Sequence, residues 1–319
     1  MRCSASHSKA VAPATIFAAA LCAAVLTGGC GEGGTATSDA EFRVVATTTQ
    51  LGDLARQVGG ERAAVEQILE PNADPHGYEP RPSDATALAD AGLVLRSSGD
   101  LDAWLSELID NAGGDAPVIE AIVSIDAREG EGGEVDPHWW QDPRNAQKAV
   151  AAIRDGLIEA DPEGRATYER NAAAYIGRLR RLDSAVARCI DRVPPADRKL
   201  VTTHDALGYY ADRYGLEVIG ALIPSLSTQA QPSSKDIGAL VDEIEALGVE
   251  AIFPETSVNP KLEEALARET GAEVGEALWA DTLGPQGSSG ATYIESIQAN
   301  TEAIVGGLTG GAVQCRPDA

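Results

Sequence analysis

Histidine is rare in this sequence, and three of its four copies stand where a metal site could form. The 319 residues contain His7, His76, His138 and His204. His76 and His138 each complete an Asp-Pro-His triplet, and each of the last three histidines comes at or after the end of a predicted strand. Because ligands bind beyond the carboxyl ends of the strands in open parallel sheets, we expect these three imidazoles to meet at one point.

A carboxylate completes the predicted site. Asp281 follows the last predicted strand, and three imidazole nitrogens with one carboxylate suit a borderline divalent cation. Zinc takes such ligands at about 2.0–2.2 Å in a tetrahedron, whereas manganese prefers more oxygen ligands. We therefore predict a metal site formed by His76, His138, His204 and Asp281. Asp281 alone is indistinguishable from a turn residue. The rival carboxylate is Glu255, which we assign to an ion pair or to the support of an imidazole.

Other side chains near the histidines have two possible roles. Asp74, Asp136 and Asp205 could orient the imidazoles through their second ring nitrogen, although acidic residues at such places commonly form turns. Trp139 and Trp140 could line the metal site, or they could simply pack in the core. The sequence leaves both pairs of alternatives open.

The N-terminal segment has the pattern of an export signal. A basic start precedes an apolar stretch over residues 11–26, and small residues then lead to Cys30. The pattern predicts a signal peptide over residues 1–29 and a flexible tether over residues 30–41, with lipid on Cys30. It resembles a bacterial lipoprotein cleavage box, except that Thr27 stands where an aliphatic residue is usual. The alternative is a plain signal peptide or an uncleaved anchor.

Cysteine usage agrees with export. Of five cysteines, Cys3 and Cys22 lie in the predicted signal peptide and Cys30 at its end, so that Cys189 and Cys315 remain. An even pair in an oxidising compartment predicts a disulfide that ties the C-terminal tail to the body of the protein. Two separate buried thiols are the alternative.

The order of the predicted elements indicates an α/β protein with two lobes. Strand and helix patterns alternate over residues 42–160 and again over residues 194–319, which is typical of parallel sheets flanked by helices. Between them, within residues 161–193, apolar residues recur at steps of three and four for about 28 residues. A helix of that length is roughly 40 Å long, so we predict that one long rigid helix joins the lobes.

The ligands are expected after four of the predicted strands. These strands are predicted at Val65–Leu69, Val118–Ile125, Lys199–Thr203 and Glu273–Ala280. A glycine-rich acidic loop over residues 126–136 separates the second of them from His138. The ligands therefore come in pairs from the two lobes, and the site is predicted in the cleft between them.

Charge and missing motifs limit the possible functions. The net charge of −24 argues against a nucleic-acid partner, whose phosphates require neutralising Lys and Arg. An acidic protein can attract cations, although an acidic surface is also common on soluble exported proteins. The sequence has no His-Glu-x-x-His motif of a zinc hydrolase. We therefore predict a binding protein rather than an enzyme.

Five ordered strings in this chain match a known pattern. They are Pro71-x-x-Asp74-Pro75-His76-x-Tyr78-x-Pro80, Asp136-Pro137-His138-x-Trp140-x-Asp142-Pro143, Thr203-His204-Asp205-Ala206-x-Gly208-Tyr209, Glu255-Thr256-Ser257-Val258-Asn259-Pro260-Lys261 and Ala280-Asp281-Thr282-Leu283-Gly284. With them, the chain resembles the metal-binding (zinc and manganese, cluster A-I) solute-binding lipoproteins of ABC transporters over about residues 42–310.

The resemblance implies a function and partners. It implies two α/β lobes with a rigid connecting helix, metal held by His76, His138, His204 and Asp281, and delivery to a membrane permease with its ATPase. Many members that bind manganese carry Glu at the position of His204, so histidine there favours Zn²⁺ over Mn²⁺ as the transported ion. Some zinc members have a histidine-rich loop before the second histidine, whereas the loop here has none. We expect a lipid-anchored monomer at the outer face of the membrane, or a periplasmic one. The alternatives are a surface adhesin with the same fold and a zinc hydrolase.

Overall fold

Helices and strands alternate through nearly all of the chain that the structure describes. This computed structural model describes residues 42–98, 100–130 and 133–319. The predicted signal peptide, lipidated Cys30 and tether lie outside these residues. Among the described residues, no helix combines the length and the apolar character that crossing a membrane requires.

The N-terminal lobe contains a four-stranded parallel sheet. Its strands are β1 (Phe42–Ala46), β2 (Ala63–Gln67), β3 (Leu93–Arg96) and β4 (Val118–Glu120), and its helices are α1 (Thr49–Gly59), α2 (Pro82–Ala89), α3 (Trp104–Ala112) and α4 (Pro143–Ala160). The strand order is β2-β1-β3-β4, and every neighbouring pair is parallel. The central strands contain the buried apolar runs Val44–Ala46 and Leu93–Leu95, as expected for a sheet covered by helices on both faces.

A second helix-flanked parallel arrangement forms the C-terminal lobe. Its strands are β5 (Lys199–His204), β6 (Glu217–Ile223), β7 (Ala251–Ile252) and β8 (Glu273–Val274), and its helices are α6 (Gly208–Tyr214), α7 (Ser234–Leu247), α8 (Lys261–Thr270) and α9 (Tyr293–Leu308). Strands β5 and β6 pair in parallel, as do β7 and β8. A parallel bridge between Thr202 and Phe253 joins the two pairs, which gives the order β6-β5-β7-β8.

One long helix, α5 (Arg165–Ile190), joins the lobes. It has 26 residues and is therefore about 39 Å long. The predicted apolar stripe is its buried face, from Tyr168 through Leu182 to Ile190. The main hydrophobic core contains this face together with side chains of both lobes, among them Leu54 and Phe253. The α/β fold with two lobes and one long connecting helix is confirmed, whereas the residue limits of the lobes remain predictions.

Two of the strands that precede ligands are shorter than predicted. Strand β4 ends at Glu120, and residues Ala121–Ser124 form a 3₁₀ turn instead of continuing the strand to Ile125. β4 is at the edge of its sheet, so only one neighbour holds it, and Ile122 donates its N–H to Ser97 O of the β3 loop at 3.1 Å. The predicted strand was wrong here because an apolar run alone does not distinguish an edge strand from a 3₁₀ turn.

The last strand is interrupted for a different reason. β8 covers only Glu273–Val274 instead of the predicted stretch to Ala280, although Leu278 pairs again with Glu255 in a parallel bridge. The segment that pairs with β8 continues into Pro254, which has no N–H to donate. The ladder of hydrogen bonds is therefore interrupted at this point. A further difference is a shift of β2, which begins at Ala63 and ends at Gln67.

A disulfide ties the C-terminal tail to α5. Cys189 and Cys315 are bonded, with Cα atoms 5.5 Å apart, across a sequence separation of 126 residues. Two hydrogen bonds support the same tail, from Arg192 to Gln314 O at 3.0 Å and from Gln298 to Pro317 O at 2.6 Å. The tail is therefore held against the connecting helix and α9.

We predict that the Cys189→Ala/Cys315→Ala variant is less stable than the wild type by about 2–4 kcal/mol, because the open chain gains conformational entropy when unfolded. Guanidinium unfolding of both proteins, with and without dithiothreitol, measures the difference. The reductant should bring the wild type to the midpoint of the variant and leave the variant unchanged. An unfolding midpoint that is the same in all four samples would contradict the prediction.

Candidate metal centre

Four side chains from different parts of the fold converge at the carboxyl edges of the sheets. His76 lies in a 3₁₀ turn, Pro75–Gly77, whereas His138 directly precedes the turn Trp139–Gln141. His204 is the last residue of β5, and Asp281 follows the interrupted last strand. One ligand atom from each lies within 4.8 Å of the others. The structure thus brings together all four side chains that the sequence selected.

The distances between these atoms fit a single ion. The Nε2 atom of His138 lies 3.4 Å from Nε2 of His76 and 3.2 Å from Nε2 of His204. Oδ2 of Asp281 lies 3.3 Å from Nε2 of His76 and from Nε2 of His204, and its Oδ1 lies 3.4 Å from His138 Nε2. Ligands about 2.0–2.1 Å from a tetrahedral zinc ion are about 3.3 Å apart, so this geometry suits one central cation.

Asp281 is the member of the group whose charge is least compensated by hydrogen bonds. It is 2% exposed, and neither of its carboxylate oxygens accepts a hydrogen bond from the described residues. Burial raises the pKa of Asp281, but the surrounding imidazoles outweigh burial and hold this pKa below its ordinary value. The carboxylate is therefore ionised. A buried anion without donors is costly, and a bound cation would compensate its charge.

Burial and charge act in opposite directions on His204. Burial lowers the pKa of His204, but the carboxylates of Asp281 and Glu255 raise it to about 10. A metal ion binds the neutral imidazole, so metal binding competes with protonation of this histidine. The arrangement favours positive charge at the centre, either as a proton or as a metal ion.

Carboxylates behind two of the imidazoles orient them. Oδ1 of Asp136 lies 2.8 Å from His138 Nδ1 and also accepts the backbone N–H of His138 at 2.9 Å. Oε1 of Glu255 has the same relation to His204, at 2.7 Å from Nδ1 and 3.0 Å from the backbone nitrogen. A proton held at Nδ1 leaves the Nε2 lone pair facing the centre. Glu255 thus faces the back of His204 and is not part of the converging group.

Asp74 and Asp205, the other two acidic candidates, hold no imidazole nitrogen in the described part of the chain. Oδ1 of Asp74 accepts the backbone N–H of His76 at 2.9 Å, and its Oδ2 accepts the hydroxyl of Thr228 at 2.6 Å. Asp74 thus shapes the loop of His76 and ties it to the C-terminal lobe. Asp205 makes no hydrogen bond to an imidazole among the described residues. Thr228 has no distinctive sequence pattern around it, and only the tertiary structure identifies its contact with Asp74.

The two tryptophans have separate roles. The indole N–H of Trp140 donates to Ala280 O at 2.8 Å, and its ring lies edge-on to His138 with centroids 5.5 Å apart. Trp140 therefore packs beside His138 and holds the backbone just before Asp281. Trp139 is fully buried and donates to Ser97 Oγ at 3.0 Å, away from the converging atoms.

Access to the centre is uneven. His138 and His204 are fully buried and Asp281 nearly so, whereas His76 is partly exposed. The side chain of His76 is only 6% exposed, so the converging atoms are largely shielded from solvent.

Comparison with known proteins identifies the family. The family model described as "ZnuA: Zinc-uptake complex component A periplasmic" matches residues 44–307. The chain belongs to this family. The ZnuA family consists of binding components of metal transporters, not of enzymes.

Relatives named for different metals are similar to this chain over most of its length. The manganese-binding lipoprotein MntA of Halalkalibacterium halodurans is 33% identical over 291 residues, which cover 90% of this chain and 95% of the relative. The iron-binding protein YfeA of Yersinia pestis is 31% identical over 272 residues, or 84% of this chain and 86% of the relative. The solved periplasmic zinc binding protein TroA from Treponema pallidum is 29% identical with a TM-score of 0.80, covering 84% of this chain and 99% of that one.

We predict that Asp281→Asn lowers metal affinity by more than about 100-fold, because it removes the anion that faces the ion while keeping the size of the side chain. Titration of the metal-free protein with Zn²⁺ in the presence of a competing chelator measures the change. The control is Asp205→Asn, an equivalent substitution next to a ligand, which should bind as the wild type does. Wild-type affinity in Asp281→Asn would contradict the assignment of this ligand.

Replacing a carboxylate that orients an imidazole should lower metal affinity less than replacing Asp281 does. We expect Asp136→Asn and Glu255→Gln each to lower metal affinity by about 10- to 100-fold, because the amide no longer holds the imidazole tautomer in place. The same titration measures both variants, and circular dichroism checks that they are folded. Affinity within twofold of the wild type for both would show that the ligands are oriented by other contacts.

Proposed function

We propose that this protein captures a divalent transition metal ion outside the cytoplasm and delivers it to the permease and ATPase of an ABC importer. The observation that carries the proposal is the buried group of three imidazoles around Asp281, whose two oxygens have no hydrogen-bond donor among the described residues. The membership in the ZnuA family supports the same function. In this proposal His76, His138, His204 and Asp281 are the metal ligands.

Zinc is the ion that we favour, with manganese next. Three imidazole nitrogens and one carboxylate match the ligands that zinc prefers, whereas manganese takes more oxygen ligands. The names of the relatives include zinc, manganese and iron, so the proposal for this chain depends on its own ligand set. His204 contributes most to this preference, because it supplies nitrogen where an oxygen ligand would favour manganese.

The cellular placement follows from the same proposal. Several relatives are named as lipoproteins, which supports an exported protein held at the membrane by lipid on Cys30. The chain would act as a monomer with two lobes over residues 42–160 and 194–319. No observation favours the adhesin or the hydrolase, and we do not propose either function.

Competition between Zn²⁺ and Mn²⁺ for the metal-free protein tests the proposal. We expect one ion per chain, a higher melting temperature when it is bound, and displacement of Mn²⁺ by equimolar Zn²⁺, because nitrogen ligands favour zinc. Elemental analysis and thermal unfolding measure these results, with Asp281→Asn as the matched control that should gain no stability. Displacement of Zn²⁺ by Mn²⁺ would reverse the choice of metal, and the absence of any bound ion would overturn the function.

A further inference from the structure

Arg128 connects the acidic loop to both lobes next to a proposed ligand. Its guanidinium Nη1 donates to Oδ2 of Asp136 at 2.9 Å, and its Nε donates to Oδ2 of Asp212 on α6 at 3.0 Å. The other oxygen of Asp136 holds Nδ1 of His138. The guanidinium therefore lies between the carboxylate that orients one ligand and the helix that follows His204.

The backbone of the loop is tied at the same place. The N–H of Arg128 donates to the hydroxyl of Tyr209 on α6 at 3.0 Å, and this hydroxyl donates to the carbonyl of Asp136 at 3.0 Å. Asp136 in turn donates its N–H to the carbonyl of Arg128 at 2.9 Å. These bonds form a closed ring in which a loop of the N-terminal lobe and a helix of the C-terminal lobe hold each other.

Charge and burial make Asp136 depend on this contact. The side chain of Asp136 is fully buried, whereas that of Arg128 is 28% exposed. A planar guanidinium holds its partners in a fixed geometry, which an amide or an ammonium group does not reproduce.

Gly208 provides the space that the guanidinium occupies. A Cβ atom at this position would lie 1.8 Å from Nη1 of Arg128 and 2.3 Å from its Cζ. Gly208 is the first residue of α6, and its φ angle is not in the positive range that favours glycine. Glycine therefore leaves the space that Arg128 needs in order to keep this position, and the backbone conformation itself does not call for glycine.

We propose that Arg128 is a positioning residue for the metal: acting through Asp136, it fixes the imidazole of His138 relative to His204 and slows release of the ion. The inference rests on the proposed function, since it concerns the same centre. Because the bridge spans the two lobes, its loss lets the loop of His138 move away from α6. The main consequence is a faster dissociation of the metal, with little change in the rate at which it binds.

Two independent substitutions break this bridge from opposite sides. Arg128→Gln removes the guanidinium, and Gly208→Ala displaces it while leaving Arg128 itself in the chain. One matched control is Arg154→Gln, at an arginine that forms an ion pair with its neighbour Asp155. The other is Gly238→Ala, at a glycine of α7 where an added Cβ would meet no other side chain among the residues described. Alanine suits helices better than glycine, so Gly208→Ala should not weaken α6 itself.

Dissociation of Zn²⁺ into excess chelator, followed by stopped flow on the full-length protein, tests the inference. We expect Arg128→Gln and Gly208→Ala each to raise the dissociation rate about 10-fold or more, and the double variant no further, because both remove one bridge. In the Asp136→Asn background, Arg128→Gln should add little. Both controls should release the ion at the wild-type rate, and circular dichroism should show that all of the metal-free variants are folded.

The outcomes separate this inference from the proposed function. Wild-type release rates in both bridge variants, in a protein that binds Zn²⁺, would overturn the role of Arg128 and leave the function intact. Additive effects of Arg128→Gln and Asp136→Asn would also overturn it, because the arginine would then act by another route. A wild type that binds no Zn²⁺ or Mn²⁺ would instead overturn the proposed function.

Discussion

The carboxylate of Asp281 is the constraint on which the rest of the centre depends. It is an ionised group in a nearly dry position, and hydrogen-bond donors do not compensate its charge. Three imidazoles point their nitrogens at the same place, and carboxylates behind His138 and His204 hold those rings in orientation. The outer carboxylates therefore hold the imidazoles, and the imidazoles surround Asp281. A cation at the centre would compensate the charge of Asp281 and accept the lone pairs of the imidazoles.

The division of the centre between two lobes makes their relative position part of the chemistry. A common hydrophobic core runs along α5 into both lobes, so a wide opening of the molecule would expose buried apolar surface. Polar contacts across the cleft instead hold the loops that carry individual histidines. Thr228 holds the loop of His76 through Asp74, and Arg128 holds the loop of His138 through Asp136. We therefore expect exchange of the ion to involve local loop movement more than separation of the lobes.

The preference for one metal depends on which atoms face the ion and on which groups hold those atoms in place. Nitrogen at three of four positions favours zinc, yet relatives of similar sequence are named for manganese and iron. In this chain Glu255 already holds the back of His204. The carboxylate of Glu255 thus lies near the site, but it contacts the back of the His204 imidazole and does not face the centre.

The sequence by itself determined the α/β class, the long connecting helix and the four converging side chains. Those features have local or compositional signals: apolar periodicity along Tyr168–Ile190, and histidines confined to a few strand ends. Only the tertiary structure decided where β4 and β8 stop. β4 lies at the edge of its sheet, and the missing N–H of Pro254 affects β8 only because the segment with Pro254 lies beside it. It also decided which acids orient imidazoles and that Arg128 and Gly208 meet. Such contacts join residues far apart in the sequence, and no pattern within either segment encodes them.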